Sequence, residues 1–193
     1  MGIRLDLSQA EKGCNKTKAG VDLNRNYGYK WGVGESTSDV ECQGETYAGP
    51  RAFSEPETRA MKEFLTKNKD EIAFVVNFHS HGKMMITPMN SEFPNPLEGR
   101  SETIHHLFTE MITEAKFPDQ TDFGPSSSVI GFVSGGSAGD WIVQELKIPA
   151  LEPEIGTRKD FGKDWWPKSD KIAFKILKDN MPLLNYIYEK AGN

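Results

Sequence analysis

Cysteine is scarce in this chain: Cys14 and Cys42 are the only two among 193 residues. That excludes a small scaffold built on disulfides, and their spacing matches no zinc or redox motif. Taken alone they read equally as two buried thiols or as one bridge. The triplet Asn15-Lys16-Thr17 beside Cys14 is an N-glycosylation sequon and points to an oxidising compartment. Long apolar runs are also missing. Stretches such as Ala73 to Val76 and Met84 to Ile86 are far too short to span a bilayer, and Met1 is followed by no apolar signal region, so any secretion leader lies outside this chain. Positive charge is in short supply. Against 28 acidic residues stand 23 Lys and Arg, for a net charge of −5 with the signs interspersed. This excludes the continuous basic face that nucleic acid demands, and the expected partners are peptides or small molecules, with no nucleic acid and no membrane. Neither an internal repeat nor a low-complexity tract occurs.

The length predicts one domain with a real core. Residues 28–54, rich in Gly, Ser, Thr and Pro, read as a long surface loop. Ser54-Glu55-Pro56-Glu57 is a capping box with proline near the start, and predicts a helix through about Lys67 whose buried stripe is Ala60, Met61, Phe64 and Leu65. The β-branched run Ile72 to Phe78 predicts a strand covered on both faces. Between Glu98 and Lys116, Ile104, Leu107, Phe108, Met111, Ile112 and Ala115 recur at helical spacing, with His105 and His106 pointing about 100° apart at the rim. Asp140 to Lys147 predicts a short helix leading into a strand over Ile148 to Ile155. Ser169 and Asp170 then cap a last helix carrying Ile172, Ile176, Leu177, Leu183, Leu184 and Ile187, with Pro182 set to kink or break it. Alternating strands and helices of these lengths give an α/β layer structure, helices on both faces of a mixed sheet.

Three segments carry chemistry. In Gly20-Val21-Asp22-Leu23-Asn24-Arg25-Asn26-Tyr27 an arginine fork stands between neutral amides, a cradle suited to a carboxylate. Asn77-Phe78-His79-Ser80-His81 puts His79 at the carboxyl end of a buried strand, where open α/β sheets collect ligand sites, and an extended chain would aim His81 to the same side. By itself His79 reads as either a structural histidine or a ligand. Glu154, at a strand end beside Gly156, reads as a cap, a salt-bridge partner or a base, and strand periodicity puts Glu152 on its face.

In this order along the chain, from about Asn15 to Ile187, these segments resemble the M14 (carboxypeptidase A-like) zinc carboxypeptidases. The string Gly-Val-Asp-Leu-Asn-Arg-Asn-Tyr-Gly-Tyr-Lys-Trp is the most specific part of the likeness. The resemblance implies a mixed, mostly parallel sheet flanked by helices on both faces, incomplete at its N-terminal side. It makes residues 1–193 a single partial catalytic domain, because the family's upstream His-x-x-Glu pair of zinc ligands is absent. It implies that Asn24 and Arg25 bind a peptide's C-terminal carboxylate, that His79 is a zinc ligand, and that Glu154 is the general base. By the same resemblance Asp22 accepts a hydrogen bond from an upstream zinc-binding histidine. Phe132 stands where the family has a substrate-binding tyrosine, within the mobile segment Phe132 to Trp141 that caps the substrate, and the neighbouring glycines, Gly135 and Gly136 among them, would let that loop close. Strand periodicity, with Glu154 as the base, puts Glu152 on the side-chain pocket, and a preference for basic C-terminal residues is expected from it. Arg4 is the one candidate for the oxyanion arginine, and His81 departs from the family's aromatic. A Cys14–Cys42 disulfide is expected across the loop, in a secreted protein.

Zinc is thus expected in the complete domain and weakly or not at all in this chain alone. The function implied is removal of C-terminal amino acids from peptides. Its alternative is a zinc-free module that binds peptide C-termini or packs in an assembly. Further partners expected are a complementary N-terminal chain or a second copy, meeting at a bare strand edge.

Overall fold

The computed structural model of the protein describes residues 3–4, 20–34, 46–91, 109–110, 113, 122–162 and 166–191. In chain order its elements are β1 (Ile3–Arg4), β2 (Val21–Asp22), a 3-10 turn (Leu23–Arg25), α1 (Pro56–Lys67), β3 (Val75–Val76), β4 (Met84–Ile86), β5 (Asp122–Gly124), α2 (Ser126–Val129), α3 (Ala138–Trp141, running on as a π-turn over Ile142–Leu146), β6 (Ala150–Glu154) and α4 (Asp170–Ala191). β1 and β2 pair antiparallel. The other strands form one sheet in the order β3-β6-β4-β5. β6 runs parallel to β3 and antiparallel to β4, and β4 runs parallel to β5, so the α/β fold has the mixed, mostly parallel sheet expected. The last strand in sequence lies between β3 and β4 and is buried from Ala150 to Pro153. Its carboxyl end therefore carries Glu152 and Glu154 into the middle of the sheet.

The core gathers around that strand. Leu151 of β6 and Leu183 of α4 are fully buried and join Trp141, Ile142, Val143 and Leu65 in one cluster. Each such leucine contributes roughly 1.5–3 kcal/mol. Tyr27, Phe53 and Trp141 form an aromatic triad with ring centroids 5.4–5.6 Å apart. Gly28 permits it, since a Cβ there would meet Phe53 Cε2 at 2.9 Å.

Local sequence logic needs correction in four places. α1 has the expected bounds, but its N-cap is Glu55 and no capping box forms. Ser54 Oγ instead donates to the Glu55 carboxylate, and Asn26 grips the helix start, its Oδ1 accepting from Glu55 N at 3.3 Å and from Thr58 Oγ1 at 2.8 Å. That grip turns α1 about its axis. Thr58 and Leu65 are its buried residues, the exposed Lys62 lays its ammonium 4.5 Å from the Phe53 ring centroid, and Met61 and Phe64 of the expected stripe are 44% and 56% exposed. Only Val75–Val76 of the run Ile72 to Phe78 is strand; it is half-buried at the sheet edge, and Phe78 is exposed. α4 is capped by Ser169 Oγ, which accepts from Ile172 N at 3.4 Å, and it continues through Pro182. Proline inside a helix costs about 3 kcal/mol, which the burial of Ile176, Leu183 and Tyr186 along α4 offsets, whereas Leu177 of the expected stripe is exposed. The segment read as a surface loop buries Ala48, Gly49 and Phe53.

Cys14, Cys42, the sequon, and His105 and His106 lie outside the described residues. So does most of the helix expected between Glu98 and Lys116, of which Thr109, Glu110 and Thr113 are helical. Among the described residues no helix is long and apolar enough to cross a membrane.

Candidate functional site

The cradle is built by a short turn at the end of β2. Asp22 caps it, its Oδ1 accepting from Asn24 N at 3.0 Å. Asn24 Oδ1 accepts from Ala138 N at 2.9 Å at the start of α3, which fixes the amide so that its Nδ2 faces His79 Nε2 at 3.5 Å. Arg25 is 7% exposed. One arm of its guanidinium donates from Nη1 to Asn24 O at 2.8 Å, and the buried Nε has no hydrogen-bond partner among the described residues. Asn26, the other amide of the string, serves the fold: it is fully buried, and its Nδ2 reaches Ala48 O, Arg51 O and Ser54 Oγ.

His79 extends from the end of β3 and bridges to Glu154 of β6. Asn77 Nδ2 lies 2.9 Å from His79 Nε2 and 3.1 Å from Glu152 Oε1. Amide nitrogens of both Asn24 and Asn77 thus lie against Nε2 of the imidazole. Glu152, 3% exposed, also accepts from Gly139 N at 3.3 Å and, at Oε2, from Asn90 Nδ2 at 2.9 Å. Burial opposes its ionised form. The His79 imidazole, ionic rather than hydrogen-bonding at 3.7 Å, and the Asn77 and Gly139 donors outweigh that and hold the carboxyl below its usual range. Glu154 goes the other way: burial raises its pKa, with the His79 charge only partly opposing. Burial likewise raises Asp22 against the lowering charge of Arg25, and its Oδ2 is buried without a hydrogen-bond partner among the described residues.

Asn24, Arg25, His79, Glu152 and Glu154 line one pocket of about 50 Å³, together with Ile86, Asn90, Ser126, Ile130, Ser134 and Ser137. Of the other residues singled out in the sequence, Asp22 sits beneath the cradle. Phe132 is half-buried and not among the lining residues, although Ile130 and Ser134 on either side are. His81 is not among the lining residues of this pocket; its ring lies 5.7 Å from that of Phe161. Glycines 135 and 136, read as hinges for a closing loop, are buried. Gly135 N bonds Val33 O at 2.8 Å, Gly136 N bonds Tyr29 O at 3.0 Å, and Tyr27 N bonds Gly136 O at 2.9 Å, so this segment is stitched onto the turns that follow the cradle.

Sequence reasoning missed Asn77, Asn90 and Asp140. Asn77 was findable, since it precedes His79 by two residues and so shares its face of the strand. Asn90 and Asp140 carried no local signal. Asp140 is fully buried and accepts from the backbone N–H groups of Asn90 at 2.8 Å and Ser91 at 2.9 Å, which fixes the Asn90 amide against Glu152. Burial pushes the Asp140 carboxyl up to about 6, against the lowering effect of these two bonds.

A hydrolytic zinc takes three protein ligands. Among the described residues no cluster of three His, Cys, Asp or Glu side chains could hold a metal. His79 offers one imidazole, its Nε2 already turned to two amides. By themselves these residues do not fit a zinc site.

Comparison with known proteins gives a consistent picture. The zinc carboxypeptidase family model matches residues 6–178. Human carboxypeptidase O is 31% identical over 142 residues, covering 70% of this chain and 35% of the relative. A metallocarboxypeptidase A-like protein of Trichophyton verrucosum is 32% identical over 152 residues, covering 75% and 33%. The chain thus spans about a third of the length of these curated relatives. Among solved structures, bovine thrombin-activatable fibrinolysis inhibitor in complex with tick carboxypeptidase inhibitor superposes with a TM-score of 0.73 at 21% identity, over 89% of this chain and 57% of the other. Carboxypeptidase A from Helicoverpa armigera gives 0.65 at 22% identity, over 91% and 44%. At these identities the structural matches speak for the fold.

Proposed function

The chain belongs to the zinc carboxypeptidase family, and on that premise we propose that it carries the substrate-carboxylate site and the general base of a metallocarboxypeptidase that removes C-terminal amino acids from peptides. The observation that carries this reading is the meeting of Asn24, Arg25, His79 and Glu154 on one pocket, drawn from segments that lie far apart in sequence. In it Arg25 and Asn24 take the C-terminal carboxylate through charge-assisted hydrogen bonds worth roughly 1.5–3 kcal/mol each. An internal peptide bond offers no such charge, so the pocket selects chain ends. Glu154, with its pKa raised by burial, is suited to accept a proton from the attacking water and return it to the leaving amine.

Zinc belongs to the complete domain in this reading, with His79 as this chain's contribution and the remaining ligands supplied from outside the described residues. Asp22 Oδ2, buried without a hydrogen-bond partner among the described residues, supports that view, since it is an acceptor left open to a donor from such a segment. Secretion, with Cys14 and Cys42 joined, completes the proposal. That no three-ligand cluster occurs among the described residues favours a second reading, in which the pocket binds peptide C-termini without cleaving them.

Calorimetric titration of an N-acetylated dipeptide as free acid and as amide tests what both readings share. The acid should bind at least about tenfold more tightly, and Arg25→Lys, which loses the planar fork, should erase most of that difference. Equal affinity of acid and amide for the unaltered chain would refute the assignment. Release of amino acids that requires zinc would then favour the enzyme over the binding module.

A further inference from the structure

In the sequence the two signs of charge look interspersed, yet folding gathers one basic patch. Residues 156–178 hold seven Lys and Arg against three Asp, in a chain whose net charge is −5. The first part of this stretch doubles back on itself: Phe161 bridges Pro167, Gly162 N bonds Trp166 O at 2.8 Å, and Lys168 N bonds Asp160 O at 3.0 Å, which sets Lys168 beside Arg158 and Lys159. The N-terminal half of α4 lies against this hairpin, since Trp166 and Pro167 line an apolar groove of about 340 Å³ with Ala173, Ile176 and Leu177. Lys171 and Lys178 stand one helical turn to either side of Phe174. These two lysines, Lys168, Arg158 and Lys159 are all exposed. The nearby acids are engaged: Asp160 accepts from Thr157 N at 2.8 Å, and Asp179 pairs with Lys175. Among the cations stand large apolar side chains that the fold leaves outside, Trp166 at 77% exposure, Phe174 at 71% and Leu177 at 60%. Apolar surface gathered in this way marks a contact.

We propose that the hairpin and the N-terminal half of α4 form a docking surface for an anionic lipid bilayer. Trp166, Phe174 and Leu177 enter the boundary between headgroups and acyl chains, where a tryptophan ring settles at the headgroup level. Lys168, Lys171 and Lys178 lay their stems along that layer and carry their ammonium groups to lipid phosphates, while Arg158 and Lys159 add to the attraction from the hairpin. Charge complementarity selects the occupant and its orientation: an anionic surface repels the acidic chain as a whole, so this face leads the approach. An acidic protein would meet the same cations. The groove is open, however, and Trp166 and Leu177 at its walls project to solvent with Phe174 beside them, which suits a fluid acyl layer better than the single seated anchor of a protein interface. Docking of this kind needs no membrane-crossing helix, and it does not depend on the carboxypeptidase reading.

The test is co-sedimentation of the full 193-residue chain with vesicles of phosphatidylcholine alone or with about 30% phosphatidylserine. Partition should be at least about tenfold greater on the anionic vesicles and should fall steeply between about 0.1 M and about 0.5 M salt. Lys168→Gln, Lys171→Gln and Lys178→Gln together should lower it at least about thirtyfold, at roughly fivefold per lysine. Phe174→Ser with Leu177→Ser should lower it at least about tenfold with the charge unchanged. All five side chains are exposed, so both variants should keep the melting temperature of the unaltered chain; should the serine variant unfold, the lysine variant decides alone. Lys67→Gln with Lys69→Gln, at the end of α1 and just beyond it, is the control and should change partition by no more than about twofold. Equal partition on the two kinds of vesicle, or none, would overturn the inference. So would variants of the patch that bind like the unaltered chain, or a control that loses as much as they do. If soluble polyglutamate binds the chain while vesicles do not, the partner is an acidic protein and the lipid assignment falls.

Discussion

Asn26 is the residue through which the cradle string organises the fold, and its removal should cost far more than its place in a turn suggests. Its side chain is fully buried and makes five contacts of 2.8–3.3 Å, to Ala48 O, Arg51 O, Ser54 Oγ, Glu55 N and Thr58 Oγ1. At roughly 0.5–1.5 kcal/mol net per bond, the sum spans about 2.5–7.5 kcal/mol. The lower half applies, because three partners keep another bond: Ala48 O still receives Trp31 Nε1, Arg51 O still receives Ser54 N, and Thr58 Oγ1 still reaches Glu55 O. Asn26→Ala should therefore destabilise by about 3 kcal/mol. Asn26→Asp should be worse still, although it is nearly isosteric, because it sets a carboxylate oxygen against the Ala48 and Arg51 carbonyls where the amide donated. Urea unfolding measures both; with a slope near 2 kcal/mol per molar, the alanine variant's midpoint should drop by about 1.5 M. A loss below about 1 kcal/mol, or an aspartate variant no less stable than the alanine variant, would refute the account of how α1 is anchored.

Two further outcomes test the packing beside the pocket. Gly136 has φ +72° and its added Cβ would lie 2.2 Å from Arg25 O, so Gly136→Ala should destabilise by more than about 2 kcal/mol and weaken binding of free-acid peptides, as thermal melts and calorimetry would read. Asp140, whose pKa rises from 3.8 to about 6 on folding, binds its proton more tightly in the native state between those values. Its contribution to stability should therefore rise as pH falls from 7 toward 4, by up to about 3 kcal/mol, with Glu154 acting in the same direction. The low pKa of Glu152 opposes this only at the acid end, where that carboxyl begins to protonate. Urea midpoints at pH 7, 5.5 and 4.5 should show a slope that Asp140→Asn flattens; an unchanged slope would count against the burial argument.

Much of the site was legible because its parts are local. Asp22 through Arg25 is a single capped turn, and Glu152 and Glu154 share a strand face by period two, so their common orientation follows from backbone geometry. Where the reading failed, distant residues had outbid local rules. The capping box at Ser54 lost to Asn26, 28 residues earlier in the chain, and the apolar stripe of α1 turned outward because Thr58 and Lys62 found partners at Asn26 and Phe53. The same holds for glycines 135 and 136, which look like hinges in sequence and act as spacers that let two backbones touch.

From sequence alone came the family, the α/β class and the residue types able to bind a carboxylate and move a proton, since each depends on short strings whose chemistry does not change with context. Tertiary structure decided which of them share a pocket, how Asn77 and Asn90 orient the acids, and which carboxyl titrates high or low. Those properties depend on burial and on distances across the sheet, and both are fixed only once β6 has inserted between β3 and β4.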